Sequence, residues 1–143
     1  SAFTLELDVD WLEWARFKSL TVSFPPPVMP TQVSPRDWDD AILYSIGAEY
    51  ALAEGWKVRA GYGYAQSPIP DRTYEPGIPR NDLHVVSLGL GKSFTKLSFD
   101  FACTFIFSEE REVNSDVAEP FMSVDGTYDS FIGILGGGVS YSF

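Results

Sequence analysis

Apolar and polar residues alternate with a period of two along most of this chain, the spacing of a strand whose two faces meet different surroundings. On the first stretch Phe3, Leu5, Leu7, Val9 and Trp11 share one face, while Thr4, Glu6, Asp8 and Asp10 share the other. Ile42, Tyr44, Ile46, Ala48, Tyr50 and Leu52 oppose Ser45, Gly47 and Glu49, and Trp56, Val58, Ala60, Tyr62 and Tyr64 oppose Lys57, Arg59, Gly61 and Gly63. Further on, Leu97, Phe99, Phe101, Cys103, Phe105 and Phe107 oppose Ser98, Asp100, Ala102 and Thr104. The pattern predicts an all-β chain of seven antiparallel strands, at roughly 2–14, 17–24, 39–52, 56–66, 83–92, 96–107 and 129–143.

The predicted connections alternate in length. Short turns at Ala15-Arg16, Ala53-Glu54-Gly55 and Ser93-Phe94-Thr95 are interleaved with Pro- and Asp-rich loops at 25–38, 67–82 and 108–128. An up-and-down transmembrane β-barrel has this rhythm, with short periplasmic turns and long external loops. Strand parity adds detail: outward Leu52 should oppose outward Trp56 across a three-residue loop in which Gly55 takes the left-handed conformation. The same register sets Glu49 opposite Arg59 on the inner face. The first hairpin needs a loop of even length, which Ala15-Arg16 supplies. Alternation alone also permits a soluble sandwich with the apolar face packed inward. Lipid is favoured by the aromatics Trp11, Trp14, Phe17, Tyr50, Trp56, Phe94, Tyr141 and Phe143, which fall at the predicted periplasmic strand ends as an interfacial girdle would.

With 143 residues the chain is long enough for one domain, and its aromatic content of 15% is high. No apolar run approaches the ~18 residues of a membrane helix, which leaves strands as the only means of crossing. The single cysteine excludes an internal disulfide framework. A net charge of −10 argues against a nucleic-acid partner, since phosphate binding needs clustered Lys and Arg. Most of the 20 acidic residues fall in or beside the long loops, among them Asp37, Asp39, Asp40, Asp71, Asp82, Glu109, Glu110 and Glu112. Arg16, Lys18, Lys57, Arg59, Lys92 and Lys96 fall near the predicted short turns. Acidic loops serve solubility; a sharper reading is that divalent cations bridge them to lipopolysaccharide phosphates.

Two groups of residues carry a family resemblance. The segment Trp56-Lys57-Val58-Arg59-Ala60-Gly61-Tyr62-Gly63-Tyr64 is followed by Ser67-Pro68-Ile69-Pro70-Asp71, Ile78-Pro79-Arg80-Asn81-Asp82 and Ser87-Leu88-Gly89-Leu90-Gly91. Together these resemble the C-terminal half of FadL/TodX-type outer-membrane transporters. Leu7-Asp8-Val9-Asp10-Trp11-Leu12-Glu13-Trp14-Ala15-Arg16-Phe17 resembles the hairpin before it. The ending Gly136-Gly137-Gly138-Val139-Ser140-Tyr141-Ser142-Phe143 resembles the terminal signal of bacterial outer-membrane barrels, which implies the barrel assembly machinery as a partner.

The resemblance implies a Gram-negative outer-membrane location and a 14-stranded barrel plugged by an N-terminal hatch. It also implies passive carriage of long-chain fatty acids or other hydrophobic molecules, aromatic hydrocarbons among them, to a lateral opening in the wall. On that view residues 1–143 are the C-terminal half of the barrel, seven strands of fourteen, without hatch or first strands; two copies closing one barrel is the other way to satisfy the sheet edges. No enzyme activity and no cofactor are implied. The alternative function is a structural or adhesive barrel without transport.

The candidate sites divide into loop and lumen residues. The resemblance points to Arg36 as a cation for a ligand carboxylate, although a loop arginine in water is the plainer expectation. Val28 and Met29, in Pro25-Pro26-Pro27-Val28-Met29-Pro30, offer preshaped apolar surface for capture, or else the prolines of this segment simply stiffen the loop and deny it a donor edge. Pro68, Ile69 and Pro70 either shape the lumen wall beside a ligand or only stop a strand, since proline cannot extend the ladder. Glu6, Asp8, Asp10, Glu49, Arg59 and Asp100 are expected to line the lumen, setting its polarity or bonding to a plug rather than doing acid–base chemistry. His84 and Cys103 should face lipid, and Ser87 the opposite side, which argues against a His–Ser pair of a lipase. Gly89-Leu90-Gly91-Lys92-Ser93 has Val86 where a phosphate loop requires glycine. No metal site is expected.

Overall fold

The computed structural model describes residues 2–25, 30–74, 81–113 and 125–143. Strands β1 (Phe3–Leu12), β2 (Ser19–Val22), β3 (Gln32–Pro35), β4 (Ala41–Ala51) and β5 (Trp56–Ala65) occupy the first half. β6 (Leu83–Ser93), β7 (Leu97–Ser108), β8 (Arg111–Val113), β9 (Gly126–Tyr128) and β10 (Phe131–Tyr141) follow. One antiparallel sheet takes the order β1-β4-β5-β6-β7-β10, while β2 with β3 and β8 with β9 form two small separate ribbons. No described helix is long and apolar enough to cross a membrane, a statement that does not touch strands.

The all-β antiparallel architecture is as the alternation predicts, but the sheet has six strands where seven were expected. The predicted strand 17–24 contributes only β2, four residues, which pairs with β3 and not with the sheet. Length explains this. A tilted strand needs about 9–11 residues to span hydrocarbon; the six strands of the sheet have 10 to 12 residues each, whereas Pro25 closes the second run too early. β1 therefore pairs directly with β4, from Phe3 opposite Tyr50 to Leu12 opposite Ala41.

This pairing reverses the assumed direction of β1. Trp11, Trp14 and Phe17 lie at the long-loop end, not in the girdle of the short turns with Tyr50, Trp56, Phe94 and Tyr141. Arg16 and Lys18 move with them. Ala15-Arg16 is no hairpin loop: Trp14–Arg16 is a 3-10 turn, and the Ala15 N–H is capped by Asp40 Oδ1 at 2.9 Å. Residues 13–40 become one long excursion at one end of the sheet. The rhythm of connections survives, with 13–40, 66–82 and 109–130 at one end and 52–55 and 94–96 at the other.

The remaining register matches the prediction. Glu49 opposes Arg59, and the Leu52 N–H donates to Trp56 O at 2.8 Å across the 53–55 loop. Gly55 sits at φ +78°, and a Cβ there would come within 2.5 Å of Ser93 O in the neighbouring turn, so both conformation and space demand glycine.

The sheet has two unlike faces. The cross-strand row Leu5–Ala48–Ala60–Leu88–Cys103–Leu135 belongs to the apolar one, and Glu6–Gly47–Gly61–Ser87–Thr104–Ile134 to the other. No described residue forms a second layer over the apolar face: Leu7 is 68% and Leu135 72% exposed. The only buried cluster of the described residues lies among the loops, where Trp38, Ile69, Tyr74 and Val113 pack with Phe17 and Tyr128.

Candidate functional site

The inner face of the sheet and the loop assembly above it hold the predicted site residues that the structure describes. Near the short-turn end, Glu49 accepts from Lys57 Nζ at 2.8 Å and from Arg59 Nε at 2.7 Å, and Arg59 Nη1 donates to Asp100 Oδ1 at 2.8 Å. All four groups project from the same face of β4, β5 and β7, and none is deeply buried. Ion pairs this open contribute little to stability and instead fix the polarity of the surface. Gly89 and Gly91 leave room for the arginine: a Cβ on Gly89 would meet Arg59 Cβ at 3.2 Å, and one on Gly91 would meet Asp100 Oδ1 at 2.8 Å. A groove of ≈ 500 Å³ runs along this face, bordered by Glu6, Gly47, Glu49, Arg59, Gly61 and Ser87. A second, of ≈ 390 Å³, continues past Asp8 and Val85 towards the long loops. Asp10 stands opposite Leu43 at the far end of the same carboxylate ladder.

The inner face is not polar throughout. In its rows nearest the long loops, Asp8 is followed by Ser45, Gly63, Val85, Ile106 and Ile132, and Asp10 by Leu43, Ala65 and Leu83. With Ile134 in the next row, Leu83, Val85, Ile106 and Ile132 make an apolar patch on β6, β7 and β10, on the same face as the carboxylate ladder of β1 and towards the opposite edge of the sheet. Sequence reasoning passed over this patch, although strand parity already assigns Val85 and Ile106 to the inner side.

The loop assembly has its own core. Trp38 packs against Trp14 and, edge to face, against Phe17, with centroids 5.3 and 5.1 Å apart. Tyr74, 1% exposed, lies 5.0 Å from the Tyr128 ring; burial pushes its phenol pKa above the usual range. Arg111, unremarked in the sequence, ties the 67–71 segment down: its guanidinium donates to Asp71, to Ile69 O at 2.6 Å and to Ser67 Oγ at 3.3 Å, and lies 5.2 Å over the Tyr74 ring. Asp82 accepts from the Ser67 N–H at 2.7 Å and from the Tyr64 hydroxyl. Asn81 Nδ2 donates to Glu109 O and Tyr128 O, joining the second long loop to the third.

Arg36, expected in water, is instead 6% exposed. Its backbone explains why: the Arg36 N–H donates to Lys18 O at 2.8 Å, and its carbonyl accepts from Thr73 Oγ1 at 2.6 Å, so the residue is drawn beneath the loops. Pro68 and Ile69 are buried and Pro70 is half-buried, next to Arg36 in the fold through the Asp39 N–H to Pro68 O bond of 2.8 Å. Val28 and Met29 lie outside the described residues. A crevice of ≈ 220 Å³ near Arg111 is bordered by Asp82, Glu109 and Glu110, whose charge opposes an acid head group. Among the described residues no group of three or more His, Cys, Asp or Glu is arranged to hold a metal ion.

His84 and Ser87 sit on opposite faces, as parity requires. His84 Nδ1 is hydrogen-bonded to Tyr62 OH at 2.7 Å, its ring stacks on Phe107, and Nε2 lies 3.1 Å from Glu109 Oε1. Ser87 Oγ pairs with Thr104 Oγ1 at 3.0 Å on the inner face.

Comparison with known proteins agrees with this architecture. A comparison with curated proteins finds no match. Among solved structures, the crystal structure of a Pseudomonas aeruginosa FadL homologue is similar, with a TM-score of 0.72 and 27% identity. The match covers 96% of this chain and 31% of that one, so the chain spans about a third of the homologue's length. The family described as outer membrane protein transport protein (OMPP1/FadL/TodX) matches residues 1–143. An antiparallel sheet with a bare apolar face, long loops at one end and short turns at the other is the wall such a protein requires, and the chain belongs to this family of outer-membrane proteins.

Proposed function

We propose that the full-length protein is a passive conduit for hydrophobic molecules across the outer membrane, with long-chain fatty acids as the leading substrate class and sideways release into lipid. The observation that carries this reading is the apolar patch of Leu83, Val85, Ile106, Ile132 and Ile134 on the inner face, running from mid-sheet to the end nearest the long loops. Aliphatic side chains give ions and sugars nothing to bond to, whereas a hydrophobic solute partitions onto them with a gain of roughly 25 cal/mol per Å² covered. The long loops receive the substrate, the patch accepts it, and the charged cluster of Glu49, Arg59 and Asp100 marks the polar floor. Val28 and Met29 provide capture surface in this scheme. Arg36, Pro68, Ile69 and Pro70 serve as the frame that shapes the loop cap, given how little of them is exposed.

The chain forms the C-terminal part of one barrel in this reading. Both edges of the sheet, β1 and β10, then hydrogen-bond to strands of the remaining wall, because hydrocarbon tolerates no open edge.

Growth of a fatty-acid-transporter-null strain on long-chain fatty acids, restored by the full-length gene, tests the proposal. Val85→Asp combined with Ile106→Asp should slow fatty-acid uptake at least ~10-fold while heat-modifiable migration on gels stays unchanged. Failure of the unmodified gene to restore growth, or full uptake by the folded double variant, would overturn it.

A further inference from the structure

On the apolar face, near the short turns, a trough of ≈ 620 Å³ opens between β5, β6, β7 and β10. Its walls are Trp56, Leu90, Phe99, Phe101 and Val139, and its floor is Gly137. Gly137 belongs to the outward row with Leu90 and Phe101, so the glycine leaves a notch where every neighbour carries a side chain. Lys92 closes the end of the trough. It shares an outward row with Trp56 and Phe99 and is the one lysine or arginine on that face of the sheet among the described residues. Its ammonium donates to Glu54 O at 2.7 Å and lies 4.8 Å from the Trp56 ring and 5.3 Å from the Phe94 ring. That single bond leaves two of its three donors for another acceptor. Asp100 also borders the trough, but its carboxylate is paired with Arg59 on the inner face.

A cation held over two aromatic rings at the water boundary of a lipid-facing wall is placed to meet a phosphate, and the apolar trough running from it towards mid-membrane suits an acyl chain. We propose that this trough is a binding site for an anionic phospholipid of the periplasmic leaflet, its head group on Lys92 and one chain over Gly137. The site lies outside the barrel and is independent of the transport reading.

Trp56 reports on it directly. The full-length protein is reconstituted in phosphatidylcholine vesicles containing brominated phosphatidylglycerol or brominated phosphatidylcholine, and Trp56 emission is obtained by subtracting that of Trp56→Phe. Half-quenching should need about fivefold less of the anionic lipid, the preference expected of one lysine at a membrane surface. Lys92→Gln should abolish the preference and keep the quenching by phosphatidylcholine. Gly137→Leu, at a position where the nearest atom to an added Cβ is 3.8 Å away, should fill the notch and weaken quenching by both lipids. Equal half-quenching by the two lipids in the unmodified protein overturns the proposal. So does a preference that survives Lys92→Gln, which would assign the charge effect to the surrounding turns.

Discussion

The sheet and the loop assembly solve the same problem in opposite ways. The sheet buries almost nothing within the chain: its large apolar residues lie bare on one face, and its strands are joined to one another by backbone ladders. The loops, richer in proline and acid, bury Trp38, Ile69, Tyr74 and Val113 against one another as a small soluble domain does. The wall therefore takes its hydrophobic stabilisation from lipid that surrounds it, and the loops take theirs from themselves. One chain follows two sets of rules, and a substitution must be judged by the rules of its own region.

The largest effect should come from Tyr74→Ala. Truncating a buried aromatic costs about 3–5 kcal/mol, and here the loss should fall on the loops alone. Protease cleavage and amide exchange in the three long loops should accelerate while the barrel still migrates as a folded, heat-modifiable band. Unfolding of wall and loops together would show that the two regions are one cooperative unit.

Leu88→Arg comes next. Leu88 lies midway along β6 on the apolar face, where a charge at the bilayer midplane costs about 2–4 kcal/mol; Ser87→Arg, one residue away but facing inward, should cost far less. Denaturant unfolding in liposomes measures the difference. Equal costs for the two would mean that the Leu-bearing face does not meet lipid.

Gly55→Ala should destabilise the wall by about 1–2 kcal/mol through the left-handed backbone alone, with the contact to Ser93 O adding to it. The loops should not respond. The smallest effect is that of alkaline pH. Because burial raises the Tyr74 pKa in the folded state, the unfolded loop ionises first. The stabilisation is complete below the unfolded value, near 10, and fades as pH climbs from there through the folded value. Loop exchange should rise in that window for the unmodified protein and stay flat for Tyr74→Phe.

The same division governs what the sequence made legible. Wall features are local and periodic, so the six long strands, the Glu49–Arg59 register and the Gly55 turn could all be read from alternation and parity. The run at 17–24 alternates just as well, and only its length, cut short at Pro25, distinguishes a four-residue ribbon from a spanning strand. That one error carried Trp11, Trp14 and Phe17 to the wrong end. The loop core depends on contacts across the chain: Arg111 meets Asp71 from 40 residues away, and Thr73 meets Arg36 from 37. No periodicity announces such partners, so the burial of Arg36 and the role of Arg111 became visible only in the fold. The aliphatic patch at Val85 and Ile106 is an intermediate case, present in the parity but overlooked beside the charged positions.

The core shared by the long loops also constrains how this end of the protein can diverge. Trp38, Tyr74 and Val113 come from three different connections, and each covers the others. An insertion or residue change that suits one connection alone leaves a hole in the other two. Drift at these sites should consequently be concerted, with exchanges at one site accompanied by compensating exchanges at its two companions, while exposed acidic residues such as Asp39 and Glu110 vary freely.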